Sequence, residues 1–187
     1  MKKTLLTLGF AFASALVLQA APLTHLDGNF EKLDKNGRPA KWRLNMGPKM
    51  ANMVKISVTK DDKGVNTVTV DTKATPKNSA PLMGAAIKCK AGDKIIVSAD
   101  VKTAGSFSFG FYRYSAKALM KGMPAKSFRI MNRKTPVKAE FVMTDDAKLK
   151  LDRVTPVLNL PANKVSSISN VKYELITAEE LAKAAKK

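Results

Sequence analysis

The stretch GAAIKCKAGDKIIVSADVKTAG, residues 84 to 105, decides how the rest of the chain is read. Between Lys94 and Val101, the side chains of Ile95, Val97 and Ala99 alternate with those of Ile96, Ser98 and Asp100. That period of two sets one row against a core and the other toward water, the pattern of a half-buried strand. AAIKCK, just before it, alternates in the same way and ends near Lys90, and the AGD turn between them carries the glycine that a tight reversal favours. SFSFGFYRYS, residues 106 to 115, continues the pattern with aromatics: Phe107, Phe109 and Phe111 share one face, while Tyr112 and Tyr114 share the other with Ser106, Ser108 and Gly110. By strict alternation Arg113 belongs with the phenylalanines, so either it lies beyond the edge of the core or a bulge shifts the phase.

The same period spreads outward in both directions. VKISVT and VNTVTVDT flank the polar loop KDDKG at residues 60 to 64 and read as a hairpin. VKAEFVM and LKLDRVTPVLNL follow as strands, with Pro156 expected to mark an edge or a bulge because it cannot donate to a ladder. SISNVKYELI closes the series with Val171, Tyr173 and Leu175 in phase. Residues 115 to 132 are the least regular and read as a long connection with a short helical turn before Gly122. Only TAEELAKAAKK, residues 177 to 187, is helical, with Thr177 and Glu180 at capping-box spacing and lysines in the last turn. A run of strands followed by one short helix predicts an all-β domain, two antiparallel sheets packed face to face.

The chain opens MKKTLLTLGFAFASALVLQA, a basic start, an apolar run and small residues, which is the anatomy of a signal peptide cleaved after Ala20. The apolar run is shorter than the roughly 20 residues that span a bilayer, and no later segment approaches that length. The expected location is secreted, periplasmic or cell-surface. Residues 21–176 are then one sandwich domain and 177–187 a terminal amphipathic helix. Cys89 has no partner for an internal disulfide and reads as a small buried apolar residue, against a reactive thiol or an intermolecular bridge.

Charge dominates the composition: 33 basic against 15 acidic residues give a formal net charge of +18, lowered by two when Lys2 and Lys3 leave with the leader. An anionic partner is the implication. The lysines are dispersed, however, and in AKLKLD Lys148 and Lys150 alternate with leucines, as on a solvated face that discourages edge pairing.

Catalytic chemistry is scarce. His25 is the only histidine and Cys89 the only cysteine, so there is no zinc cluster, and a Ser-His-Asp triad would have to use a histidine near the terminus. Asp61 and Asp62, like Asp145 and Asp146, lie between strands as turn residues. Asp100 and Glu140 lie within strands. No phosphate-binding or dinucleotide fingerprint is present, and no aromatic-and-basic motif marks a specific nucleic-acid site. The expectation is a protein that is not an enzyme. Its candidate ligand residues are Tyr112 and Tyr114, flat rings beside small neighbours, with Arg129, Asn132 and Arg133 as directional donors.

The order of features resembles the secreted carbohydrate-binding modules of the jelly-roll, galactose-binding-like type, in particular the xylan- and glucan-binding group. Their opening typically reads as asparagine, glycine, an acidic or polar residue, Phe-Glu, a short Gly- and Pro-containing stretch and a tryptophan; here it is DGNFEKLDKNGRPAKW. AGDKIIVSADVKTAG matches their middle turn and strand, with Ile95 or Ile96 where an aromatic is common, and SNVKYEL matches their closing strand. The resemblance covers roughly residues 24 to 176. It implies a jelly-roll sandwich that binds glycan, and the basic charge adds the expectation of acidic polysaccharide. It also implies a structural calcium between Glu31 and Asn170, although asparagine replaces a carboxylate there and weakens a hard-cation site. DKNG, residues 34 to 37, lacks calcium-loop spacing and reads as a turn. The alternative is a structural or adhesive envelope protein whose C-terminal helix docks to a partner.

Overall fold

The computed structural model describes residues 20–75 and 79–186. The expected signal peptide, residues 1–20, lies outside the described residues except for Ala20. The strands are β1 (Ala21–Pro22), β2 (Arg43–Leu44), β3 (Lys55–Lys60), β4 (Asn66–Asp71), β5 (Ala80–Met83) and β6 (Ile87–Lys88). They continue with β7 (Lys94–Lys102), β8 (Ala104–Tyr114), β9 (Ala125–Met131), β10 (Thr135–Val142), β11 (Arg153–Leu160) and β12 (Val165–Ile176). The helices are α1 (Pro48–Ala51) and α2 (Ala178–Ala185). The first sheet runs β10-β7-β12-β4-β3 with β1 beside β12, the second runs β2-β5-β11-β8-β9 with β6 beside β11, and every pairing is antiparallel. The expected jelly-roll β-sandwich with one short C-terminal helix is therefore the observed fold.

Alternation builds the core. Ile95, Val97, Ala99 and Val101 of β7 face Phe107, Phe109 and Phe111 of β8, all buried. Aromatic contacts link the layers: Phe111 meets Phe141 at 5.0 Å and Tyr173 at 6.2 Å, and Tyr173 meets Trp42 at 6.3 Å, which meets Phe30 at 5.9 Å. Edge and tilted geometries suit the ring quadrupoles. Trp42 is a core anchor, and its indole N–H donates to the Asp27 carbonyl at 3.3 Å.

The polar turns work as their residue types dictate. Asp61 Oδ1 accepts from the Lys63 and Val65 amides at 3.0 and 2.8 Å, closing the β3–β4 hairpin with Gly64 at φ 78°. Asp34 Oδ1 accepts from the Asn36 and Arg38 amides, so DKNG is an Asp-capped turn. Asp146 holds the Lys148 and Leu149 amides, and Asp145 holds that of Leu151.

Pro156 departs from expectation. It lies in the regular register of β11, an inner strand, opposite Phe111. Its carbonyl accepts from Gly84 at 3.0 Å, so its missing donor falls where the neighbouring ladder is already interrupted between β5 and β6. Residues 115 to 132 also differ: they contain β9, and no helix precedes Gly122. Thr177 and Glu180 do form the expected capping box on α2. The Asp93 carboxylate, buried in the β6–β7 turn, accepts from the Ala178 amide at 2.9 Å and ties the helix to the sandwich.

Candidate functional site

Cross-strand pairing assembles the outward face of the second sheet. Tyr114 pairs with Arg153, which pairs with Lys88; Tyr112 pairs with Thr155. Gly110 lies between Val157 and Ala125, Ser108 between Asn159 and Ser127, and Ser106 beside Arg129. Arg43 joins from β2 through Met83. Residues paired across antiparallel strands share a face, so β8 lays down a line of tyrosines, glycine and serines flanked by arginines and amides.

The two rings are held differently. Tyr112 is half-buried, and its hydroxyl accepts from Asn45 Nδ2 at 3.3 Å. Tyr114 is half-buried beneath the Arg153 guanidinium, 5.2 Å from its ring centre, while Arg153 also binds Asp152 at 3.0 Å. Between Tyr112 and Ser108, a Cβ at Gly110 would meet the Met123 thioether at 3.3 Å, so glycine makes room for that side chain on the face. Arg113, on the opposite face, lies beyond the core edge in unbroken register. Its guanidinium donates to the carbonyls of Lys121, Gly122 and Thr144, closing that end of the sandwich.

The residues singled out from sequence therefore do not form one cluster. Tyr112 and Tyr114 occupy one end of the face and Arg129 the other. Asn132 and Arg133 lie in the β9–β10 turn, where Asn132 takes φ 53° and donates its amide to Thr103, and the Arg133 carbonyl accepts from Thr135. Sequence reading missed Asn45, Arg153, Arg43 and Lys88, whose approach depends on pairings between distant segments.

Glu31 and Asn170 do share a cavity, of about 240 Å³, with Lys60 and Asn66 also in its wall. The residues fit calcium poorly. Glu31 is the one carboxylate of that wall, and Asn170, at φ 52°, turns its amide nitrogen to Asp100 at 2.8 Å. No group of three or more His, Cys, Asp or Glu side chains suited to a metal occurs among the described residues. Cys89 is buried, and that burial pushes its thiol up to about 12, which leaves it protonated and unreactive at neutral pH. A second cavity, about 480 Å³, lies between the N-terminal segment and β12, with Asp27, Glu31 and Glu174 on its wall. No helix among the described residues is long and apolar enough to cross a membrane.

No family model and no curated protein sequence matches the chain. Solved structures do share its fold. A cyclase from Fischerella sp. TAU superposes with a TM-score of 0.60 at 12% identity, over 84% of this chain and 98% of its own. The CBM22-1 xylan-binding domain of Paenibacillus barcinonensis Xyn10C gives 0.50 at 13% identity, over 80% and 92%. An arabinose-bound α-L-arabinofuranosidase gives 0.53 at 11% identity, over 75% of this chain and 24% of its own. The class defined is a β-sandwich shared by sugar-binding domains and by enzymes. That corrects the expectation that the chain is not an enzyme. A poverty of histidine and cysteine was its basis, yet cyclases carry this same sandwich along nearly their whole length.

Proposed function

We propose that the chain binds carbohydrate on the outward face of the second sheet, with Tyr112 and Tyr114 stacking on sugar rings and Asn45 and Arg129 donating to hydroxyl or acidic groups. The supporting observation is that both tyrosines lie on the outward face, in line with Ser108 and Ser106, instead of packing in the core. Flat rings set beside small polar side chains present the apolar face and the hydrogen-bonding groups that a pyranose needs. The formal net charge of +18 favours an acidic polysaccharide. The test is a glycan array carrying neutral, sulfated and uronic glycans, with Tyr112→Ala and Tyr114→Ala as variants. Binding that both variants weaken supports the reading, and an array blank for all three classes refutes it.

The signal-like start further supports export, which N-terminal sequencing of the mature protein tests. A second reading, an envelope scaffold, is favoured by α2, none of whose residues is buried and which meets the sandwich through Asp93 and the exposed Lys90–Glu179 pair. Removal of residues 177 to 187 separates the two: loss of envelope retention with glycan binding intact supports the scaffold.

A further inference from the structure

We propose that the outward face of the second sheet takes an extended polyanionic polysaccharide laid along β8 and gripped at both ends, a mode that rests on the carbohydrate reading above. Charge is segregated between the two sheets. On the first sheet, outward lysines are interleaved with carboxylates: Lys94 pairs with Glu140 at 3.1 Å, Lys134 with Asp100 at 3.5 Å, and Glu174 stands on the same face. On the second sheet the outward strand positions hold Arg43, Lys88, Arg129 and Arg153 and no carboxylate. Arg43, Lys88 and Arg129 have no ion pair among the described residues, and the one carboxylate touching this set is Asp152, on Arg153. Asp152 offsets the charge of Arg153, which leaves Arg43, Lys88 and Arg129 as the uncompensated cations of this face.

Three of the four cations are placed at the ends, and Arg43 stands at the level of Gly110 on the edge strand β2. Arg153 and Lys88 stand in register with Tyr114, and Arg129 in register with Ser106. Ser106 and Tyr114 are separated by about 26 Å at ~3.3 Å per residue along one strand. Between them β8 itself offers Ser108, Gly110 and Tyr112, all uncharged, with Met123 over Gly110 and with Val157 and Met83 buried beside it. A mono- or disaccharide reaches one end, whereas a chain of uronate or sulfated sugars reaches both. Joining two weak contacts through one ligand raises affinity only when the ligand spans the distance.

The test measures binding of polygalacturonate, short galacturonate oligomers and neutral xylan to the full chain across a range of NaCl concentrations. The variants are Arg129→Gln, Arg153→Gln and, on the opposite sheet, Lys138→Gln with Lys172→Gln. The expected result is tight, salt-sensitive binding of polygalacturonate, weakened about tenfold by either arginine change, the size of one charge-assisted hydrogen bond. The opposite-sheet pair should leave it unchanged, and the short oligomers should respond to one arginine but not the other. Equal, salt-insensitive binding of xylan and polygalacturonate overturns the polyanion track while leaving the carbohydrate reading in place. Equal losses from the opposite-sheet variants overturn it as well. Failure to bind any of the three probes overturns both.

Discussion

Gly28→Ala probes how the opening loop is seated, and its cost can be worked from distances. A Cβ at residue 28 would lie 1.8 Å from the Val171 carbonyl oxygen, 2.8 Å from its carbonyl carbon and 3.3 Å from its Cβ. Both near atoms are backbone, so relief requires the loop and β12 to part by more than about 1 Å to regain ordinary contact. Parting strains the Val171 N–H to Gly28 carbonyl bond of 3.2 Å and tilts the loop that carries the fully buried Phe30. Overpacking of this kind costs about 1–3 kcal/mol and the hydrogen bond about 1 kcal/mol more. A combined loss of about 3 kcal/mol lowers the melting temperature of a domain this size by about 6–12 °C. Urea and thermal unfolding, followed by fluorescence of the single Trp42, measure it, and that indole is bonded to the carbonyl of neighbouring Asp27. Gly47→Ala is the control: open space surrounds it and its φ is an ordinary −57°, so only the change of cap residue on the short α1 remains, under about 1 kcal/mol. If Gly28→Ala melts within about 0.5 kcal/mol of the parent, the loop is not seated against Val171 and the account is wrong.

Phe111→Ala removes a fully buried ring that meets both Phe141 and Tyr173, and chemical denaturation should show a loss of about 3–5 kcal/mol. Thr177→Ala deletes one half of the capping box and should cost α2 about 1 kcal/mol, read as faster amide exchange in residues 178 to 185 with the sandwich unaffected. Cys89, its thiol pushed up to about 12 by burial, should resist iodoacetamide at pH 8 in the native protein and react in urea. Asp34, Asp146 and Glu180 are held below their ordinary carboxylate values, in each case chiefly by a backbone N–H. Because the folded values are the depressed ones, their contribution is present above the ordinary carboxylate range and disappears as pH falls through the folded values. Melting temperature should therefore decline on acidification below that range, and less so in Asp146→Asn.

Legibility followed how local each signal was. The outward placement of Tyr112 and Tyr114 needed only the period of β8, and the capping box only a three-residue spacing. β9 escaped because its alternation is inverted at both ends: Lys126 takes the register of inward Phe109 yet stays exposed, its ammonium 5.6 Å from the Phe141 ring, while Met131 is 77% exposed. Pro156 misled because its tolerance depends on a gap between β5 and β6, two strands that belong to a distant part of the chain. The site suffered in the same way. Arg129 is far from the tyrosines along β8 although it is near them in sequence, whereas Arg153, far in sequence, lies over Tyr114. Periodicity tells which way a side chain faces; register tells what it faces alongside, and register is set by partners that local sequence does not reveal.

The same separation of faces makes the proposed site experimentally clean. The aromatic contacts that hold the sandwich together run through the inward residues Phe30, Trp42, Phe111, Phe141 and Tyr173. Tyr112, Tyr114 and Arg129 alternate with inward positions, and the two tyrosines are held by the Asn45 hydrogen bond and the Arg153 stack, contacts between partly exposed residues. Trimming those groups removes little of the apolar burial that stabilises the fold. A sandwich with one face committed to the core can change its other face without refolding. On the carbohydrate reading, specificity would be sought in the outward rows and their charge, because a fold by itself does not carry a function.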